Sequence, residues 1–316
     1  MLHKFNLKID NESLDSKLLN EDINNYNSLI YNYGQDNLIK EIKSILDIDE
    51  EKKEVKIKHT DIIKNWFPES DCHIFMSHSH KDKNIAIKIA NYLYANYKIK
   101  TFIDSYFWQF VDKAIYEINV NYSKNPKPND HLLRYDSSLR VGTNFYLTLS
   151  NALMDTIDKS DCCIFLNTEN SISNINSESE STYSPWIYTE LNILDKIRKN
   201  PHKDRGIRAG NESYVEKAAA LSAKTINESY RFDVEYEVNP SLRLPTISED
   251  IIEKILMSPD EICKNDRNKE LKYSNNESDE SDESDEIFLK LKTISYLDDI
   301  YDFINSNLNI EKGNIY

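Results

Sequence analysis

Three short apolar runs, each cut off by a polar residue, constrain this chain more than any other feature. They are HIFMS at 73–77, KTFID at 100–104 and DCCIFLN at 161–167. A run that stays apolar without alternating reads as a strand covered on both faces, and strands covered on both faces belong to parallel sheets flanked by helices. The segments between the runs fit that layout. Ile85, Ile89 and Leu93 recur every four residues, as do Leu149, Leu153 and Ile157, which predicts an amphipathic helix before the second run and another before the third. Repeated strand and helix imply an α/β fold with a parallel central sheet. Ligands of such sheets gather at the carboxyl ends of the strands, so Ser77, His78, Asp104 and Ser105 become candidate pocket residues.

Around this core the sequence divides into three parts. Residues 1–68 carry two helical stripes, one with Leu18, Leu19, Ile23, Tyr26 and Ile30, the other with Leu38, Ile39, Ile42, Ile45 and Leu46, and read as an N-terminal helical extension. Residues 69–240 hold the sheet. Within them 105–149 is aromatic and polar with a Pro- and Asn-rich middle, and is expected to be a long inserted loop with at most one helix; about 200–231 is a second insertion. FDVEYEVN at 232–239 alternates like an edge strand. Residues 241–316 form a C-terminal helical region interrupted by the acidic low-complexity linker at 277–286.

Charge and composition narrow the partners. Thirty-nine basic against 54 acidic side chains give −15, which disfavours phosphate backbones and anionic membrane surfaces, so neither nucleic acid nor membrane is an expected partner. No apolar run is long enough to cross a bilayer and the first residues lack a signal-peptide centre, which points to the cytoplasm. The four cysteines, Cys72, Cys162, Cys163 and Cys263, are expected reduced. None of the glycine-rich phosphate loops is present among only five glycines.

One further stretch bears on chemistry. In SPWIYTELNIL, 184–194, Ser184 can cap a helix, Pro185 suits its first turn, and Trp186 and Glu190 share a face four residues apart. A glutamate one turn into a helix is commonly a solvated group complementing the dipole.

Taken together, SHSHKDK after the first run, TFID closing the second, DKSDCCIFLN and SPWIYTEL resemble, in that order, the Toll/interleukin-1 receptor (TIR) domain family. The resemblance rests on Phe75-Met76-Ser77-His78 with Asp82, on Phe102-Ile103-Asp104 and on Trp186-x-x-x-Glu190, and covers 71–200 with a final strand near 232–239. It implies a flavodoxin-like domain and, by similarity to bacterial members that cleave NAD+, as in the antiphage system Thoeris, a catalytic Glu190. Ser77, His78, Asp104, Ser105, Trp108 and Trp186 are the matching substrate-binding candidates. NAD+ is then substrate, with no further cofactor and no metal. TIR–TIR contacts imply homo-oligomers, and an ADP-ribose product implies a downstream effector that senses it. The non-catalytic alternative within the family is a scaffold acting by assembly. Trp108 stands where many members have a Leu-x-x-Gly turn, a departure at the substrate mouth.

The bond from nicotinamide to ribose leaves an oxocarbenium-like centre when it breaks, and its leaving group needs no protonation, so one carboxylate suffices. Glu190 would stabilise the developing positive charge without needing a shifted pKa, and Trp186 would offer an aromatic face or simply anchor its helix. His78-Ser-His80-Lys-Asp82 also resembles the metal stem HxHxD, but Lys83 stands where a further histidine is needed. His73, inside the first run, reads as a core histidine.

Overall fold

The computed structural model describes residues 3–9, 14, 18, 44–49, 51–52, 54–66, 72–124, 132–173, 180–197, 202, 204–205, 235–238, 244–263 and 282–308. In chain order the elements begin with β1 (His3–Lys8), β2 (Leu46–Asp49), β3 (Glu54–Ile57), α1 (His59–Trp66) and β4 (Ile74–Ser77). A single 3-10 turn at His80–Asp82 leads into α2 (Lys83–Tyr97), β5 (Thr101–Ile103), α3 (Ser105–Tyr122) and α4 (Tyr135–Lys159). Then come β6 (Cys162–Asn167), β7 (Ser181–Thr182), α5 (Pro185–Lys196), β8 (Tyr236–Glu237), β9 (Thr246–Ile247), α6 (Glu249–Met257), α7 (Pro259–Ile262) and α8 (Asp282–Asn307).

The three apolar runs form β4, β5 and β6, and the central sheet is parallel throughout in the order β5-β4-β6-β1-β9. This is an α/β architecture compatible with a flavodoxin-like fold. Period-two alternation decides which face each strand residue joins. Ile74, Met76, Ile103, Cys162, Ile164 and Leu166 enter a core shared with α2, α6 and α8. Phe75, Phe102, Cys163 and Phe165 enter a second core on the opposite face, built with α4 and α5. Cys162 and Cys163 therefore point to opposite faces, and none of the four cysteines, all among the described residues, is in a disulfide. A third cluster joins Ile62 of α1 to Val111, Ala114 and Ile118 of α3 and Phe145 and Leu149 of α4.

Four expectations need correction. The chain does not begin as a helical extension: His3–Lys8 is a central strand, paired with β6 from His3↔Cys162 to Lys8↔Asn167. Its sequence alternates, with Phe5, Leu7 and Ile9 buried in the first core while the Lys4 ammonium, on the other face, donates to the Leu194 carbonyl. Apart from Leu18, Ile45 and Leu46, the stripes read at 18–46 lie outside the described residues; Leu18 is buried in the first core, and 46–49 with 54–57 make an antiparallel hairpin. Residues 105–149 are not a loop but supply α3 and most of α4, packed together through the third cluster.

The alternating segment at 232–239 does not edge the main sheet either. Its described part, β8, pairs antiparallel with β7, and the fifth main strand is β9, just after Pro245. Nor do boundaries at 68 and 240 separate cores. Ile247, Ile252, Ile255, Leu256, Leu297, Ile300 and Ile304 all pack in the same core as β1 and β4. Most of the insertion at 200–231 and the first half of the acidic run lie outside the described residues, while 282–286 belongs to α8. No helix among the described residues is long and apolar enough to cross a membrane.

Candidate functional site

The strand order reverses at β4: the chain steps from β4 to β5 on one side and then to β6 on the other. Such switch points open a crevice at the strands' carboxyl ends. Ser77 and His78 close β4 there, Asp104 and Ser105 follow β5, and α5 arrives from β6 carrying Glu190.

Local chemistry sets the entry of α5. Ser184 is its N-cap, the Ser184 hydroxyl accepts the Ile187 N–H at 3.3 Å, and Pro185 takes the first turn, where no N–H is missed. Ile187, Glu190, Leu191 and Leu194 are its buried residues, a helical stripe with a carboxyl set into it. Glu190 is not a solvated helix residue; it is 0% exposed. The Ser77 hydroxyl donates to Glu190 Oε2 at 2.5 Å, while Oε1 receives no hydrogen bond among the described residues. Burial first, and then the Asp104 carboxyl within hydrogen-bonding reach, push the Glu190 carboxyl well above the usual carboxylate range. The proposed chemistry needs no such shift, but the fold imposes one. A protonated Glu190 can donate to Asp104 and accept from Ser77, which removes the like-charge conflict.

Asp104 faces His78 as well. Asp104 Oδ1 lies 3.2 Å from His78 Nδ1, which also lies 3.0 Å from the Met76 carbonyl, and His78 Nε2 lies 3.0 Å from Ser105 Oγ. All four of these residues are at most 4% exposed: Met76 0%, His78 3%, Asp104 4%, Ser105 2%. Five of the seven residues singled out from sequence are therefore brought together: Ser77 hydrogen-bonds Glu190, His78 hydrogen-bonds Ser105, and Asp104 lies 3.2 Å from His78.

Trp186 stands apart from these five. Trp186 is half-buried, packs against both the second and third clusters, and its ring meets Tyr146 at 5.8 Å between centroids. That is the anchoring role. Trp108 lies in the first turns of α3, and its side chain is outside the described residues.

Two residues missed from sequence brace the crevice. Asp82 Oδ2 accepts the Thr168 hydroxyl at 2.6 Å and Asp82 Oδ1 accepts the Asn170 amide at 2.7 Å, tying the segment after β4 to the one after β6. Thr168 and Asn170 are one and three residues past the end of β6, in a polar segment that reads only as loop without the fold.

Among the described residues, His73, His202 and Asp204 have the composition of a metal site, all three buried and with ligand atoms within 4.8 Å of one another. They lie by the amino ends of β4 and β6, away from Glu190. Their hydrogen bonds point the wrong way for a metal. Each Nδ1 accepts a backbone N–H, from Lys100 on His73 and from Asp204 on His202, at 3.2 Å each. The neutral rings then carry their proton on Nε2, and His73 Nε2–H donates to Asp204 Oδ2 at 3.1 Å. A ligating histidine instead donates its second N–H to an acceptor. The cluster is a hydrogen-bonded clasp.

Compared with models of protein families, with curated proteins and with solved structures, the chain matches none.

Proposed function

We propose that this chain is a TIR-type enzyme that cleaves the nicotinamide–ribose bond of NAD+, with Glu190 as the catalytic carboxylate. The observation that supports it most is a fully buried carboxyl with raised proton affinity at the switch-point crevice, held by Ser77 and facing Asp104. Strongly perturbed buried carboxyls concentrate at functional sites.

NAD+ brings a pyridinium cation. Beside Glu190 that charge favours the ionised carboxylate, so binding displaces the proton held in the closed state. As the bond from the anomeric carbon to nitrogen breaks, its electron pair neutralises the pyridinium and positive charge passes to the ribose. A carboxylate fixed in a dry site then stabilises the transition state more than the ground state. Water or a hydroxyl of the substrate completes the reaction, giving ADP-ribose or a cyclic isomer and one proton. Because Glu190 is 0% exposed, its cover must move before substrate reaches it. Self-association through TIR contacts is a natural trigger, and a downstream effector sensing the product in cytoplasmic antiphage defence is the matching context.

The full burial of Glu190 also favours a second reading, a scaffold that assembles without turnover. One experiment separates them: parent and Glu190→Gln are incubated with NAD+ under the condition that induces self-association, and products are identified by mass spectrometry. The enzyme reading expects nicotinamide and an ADP-ribose product from the parent, falling by about 100- to 1,000-fold in the variant. Equal consumption by both overturns the role of Glu190. Assembly without consumption by either favours the scaffold.

A further inference from the structure

We infer that Ser105 is an activated nucleophile, served by His78 as general base and by Asp104 as the residue positioning that base, and that the crevice hydrolyses small carboxylic esters independently of NAD+. The assignment rests on the direction of the hydrogen bonds. His78 Nδ1 lies 3.0 Å from the Met76 carbonyl, which can only accept, so Nδ1 carries the proton; Asp104 Oδ1, 3.2 Å away, is a charge contact beside it rather than a hydrogen bond. In the neutral ring Nε2 is then a lone pair. It faces Ser105 Oγ at 3.0 Å, and the hydroxyl must be the donor. Serine to imidazole to carboxylate, in that tautomer, is the arrangement that lets a neutral serine lose its proton as it attacks.

Two further features fit. Asp104 occupies the N-cap position of α3, yet its side chain makes no capping hydrogen bond; it is turned to His78 instead. Ser105 is the first residue of that 18-residue helix, and a helix leaves its first-turn N–H groups without intrahelical partners, which suits them to a developing oxyanion.

The step balances with water as co-reactant. Ser105 Oγ bonds to the ester carbonyl carbon while its proton passes to His78 Nε2. The tetrahedral species then expels the alcohol, which takes that proton, leaving an acyl-serine. Water attacks the acyl carbon, gives its proton to Nε2, and the acid leaves as Ser105 Oγ recovers the proton.

The test uses the full chain and two probes. Diisopropyl fluorophosphate is incubated with parent, Ser105→Ala and His78→Ala, and adducts are mapped by peptide mass spectrometry; hydrolysis of p-nitrophenyl acetate is followed in parallel. The expected result is a single adduct on Ser105 in the parent, absent in Ser105→Ala and formed at least about 100-fold more slowly in His78→Ala. Asp104→Asn, nearly isosteric, should lower kcat for the ester by about 100-fold or more with KM held, and keep a cooperative melt. An unlabelled Ser105 in folded parent, or labelling that proceeds equally in His78→Ala, overturns the proposal. Neither outcome depends on whether NAD+ is consumed.

Discussion

At the scale of single residues, Glu190 stabilises the fold less than a neutral group of its shape would. Its folded form holds a proton more tightly than the unfolded chain does, because burial and the nearby Asp104 oppose the charge. The unfolded carboxyl ionises from about pH 4.3, so above that pH the folded state binds more protons than the unfolded one. Stability then falls as pH rises, until Glu190 ionises in the folded state as well. Gln copies the protonated side chain: its carbonyl can accept from Ser77 and its amide can donate to Asp104. Glu190→Gln is therefore expected to melt above the parent at neutral pH, with the gap widening as pH rises above the unfolded carboxyl's value of about 4.3. Thermal melts over rising pH check it. A variant that melts below the parent throughout would show an ionised, well-solvated Glu190. Higher stability with lost turnover is the trade expected of a catalytic group.

At the scale of elements, what the sequence discloses depends on how many faces an element buries. β4, β5 and β6 bury both faces, read as unbroken apolar runs, and are found where expected. β1 buries only its Phe5, Leu7 and Ile9 side, while Lys4, Asn6 and Lys8 look polar; seven alternating residues at the start of a long polar segment were outweighed by the helical stripes after them. The helices α3 and α4 were hidden by aromatic and polar residues, because the third cluster they build is small. In α5 the signal for burial was present: 187, 190, 191 and 194 follow i, i+3, i+4, i+7, and placing a glutamate in that stripe is itself the anomaly. The site was legible as far as strand ends and this stripe reach. Its hydrogen-bond directions were not, since they depend on distances between segments over a hundred residues apart. If β1 is integral to the sheet, Leu7→Ala, at a fully buried position, should cost about 2–5 kcal/mol. Urea unfolding of the whole chain measures it; a change under about 0.5 kcal/mol would mean a peripheral strand.

At the scale of the molecule, the two ends of the sheet do different work. The carboxyl ends hold the buried carboxyl of Glu190, its proton affinity raised; the amino ends hold a clamp. Asp161, just before β6 and 0% exposed, accepts the Arg205 guanidinium in two places, Nε at 2.6 Å and Nη2 at 2.9 Å, and the Tyr301 hydroxyl at 2.9 Å. Arg205 reaches on to Asp298 of α8 at 2.7 Å, and the Tyr301 ring stacks on His3 of β1 at 3.9 Å. One carboxylate thus joins β6, the 202–205 segment, the C-terminal helix and, through Tyr301, the N-terminal strand. Burial alone would raise the Asp161 proton affinity, but the Arg205 charge and the Tyr301 hydrogen bond hold its carboxyl below the ordinary range. The sign is opposite to that of Glu190: this contribution is complete above about pH 4, the unfolded value, and is lost as pH falls through the lower folded value. Asp161→Ala leaves Arg205 with a buried, partly unpaired charge and should cost about 3–5 kcal/mol, whereas Tyr301→Phe removes one hydrogen bond and should cost about 1–3 kcal/mol. Chemical unfolding at neutral pH gives both, and the Asp161→Ala deficit should shrink in strong acid, where the parent loses the same interaction. Because the clamp lies across the sheet from Glu190 and Ser105, turnover per folded molecule should be preserved in Tyr301→Phe. A loss of turnover without a loss of stability would instead show that the docking of α8 is coupled to the crevice.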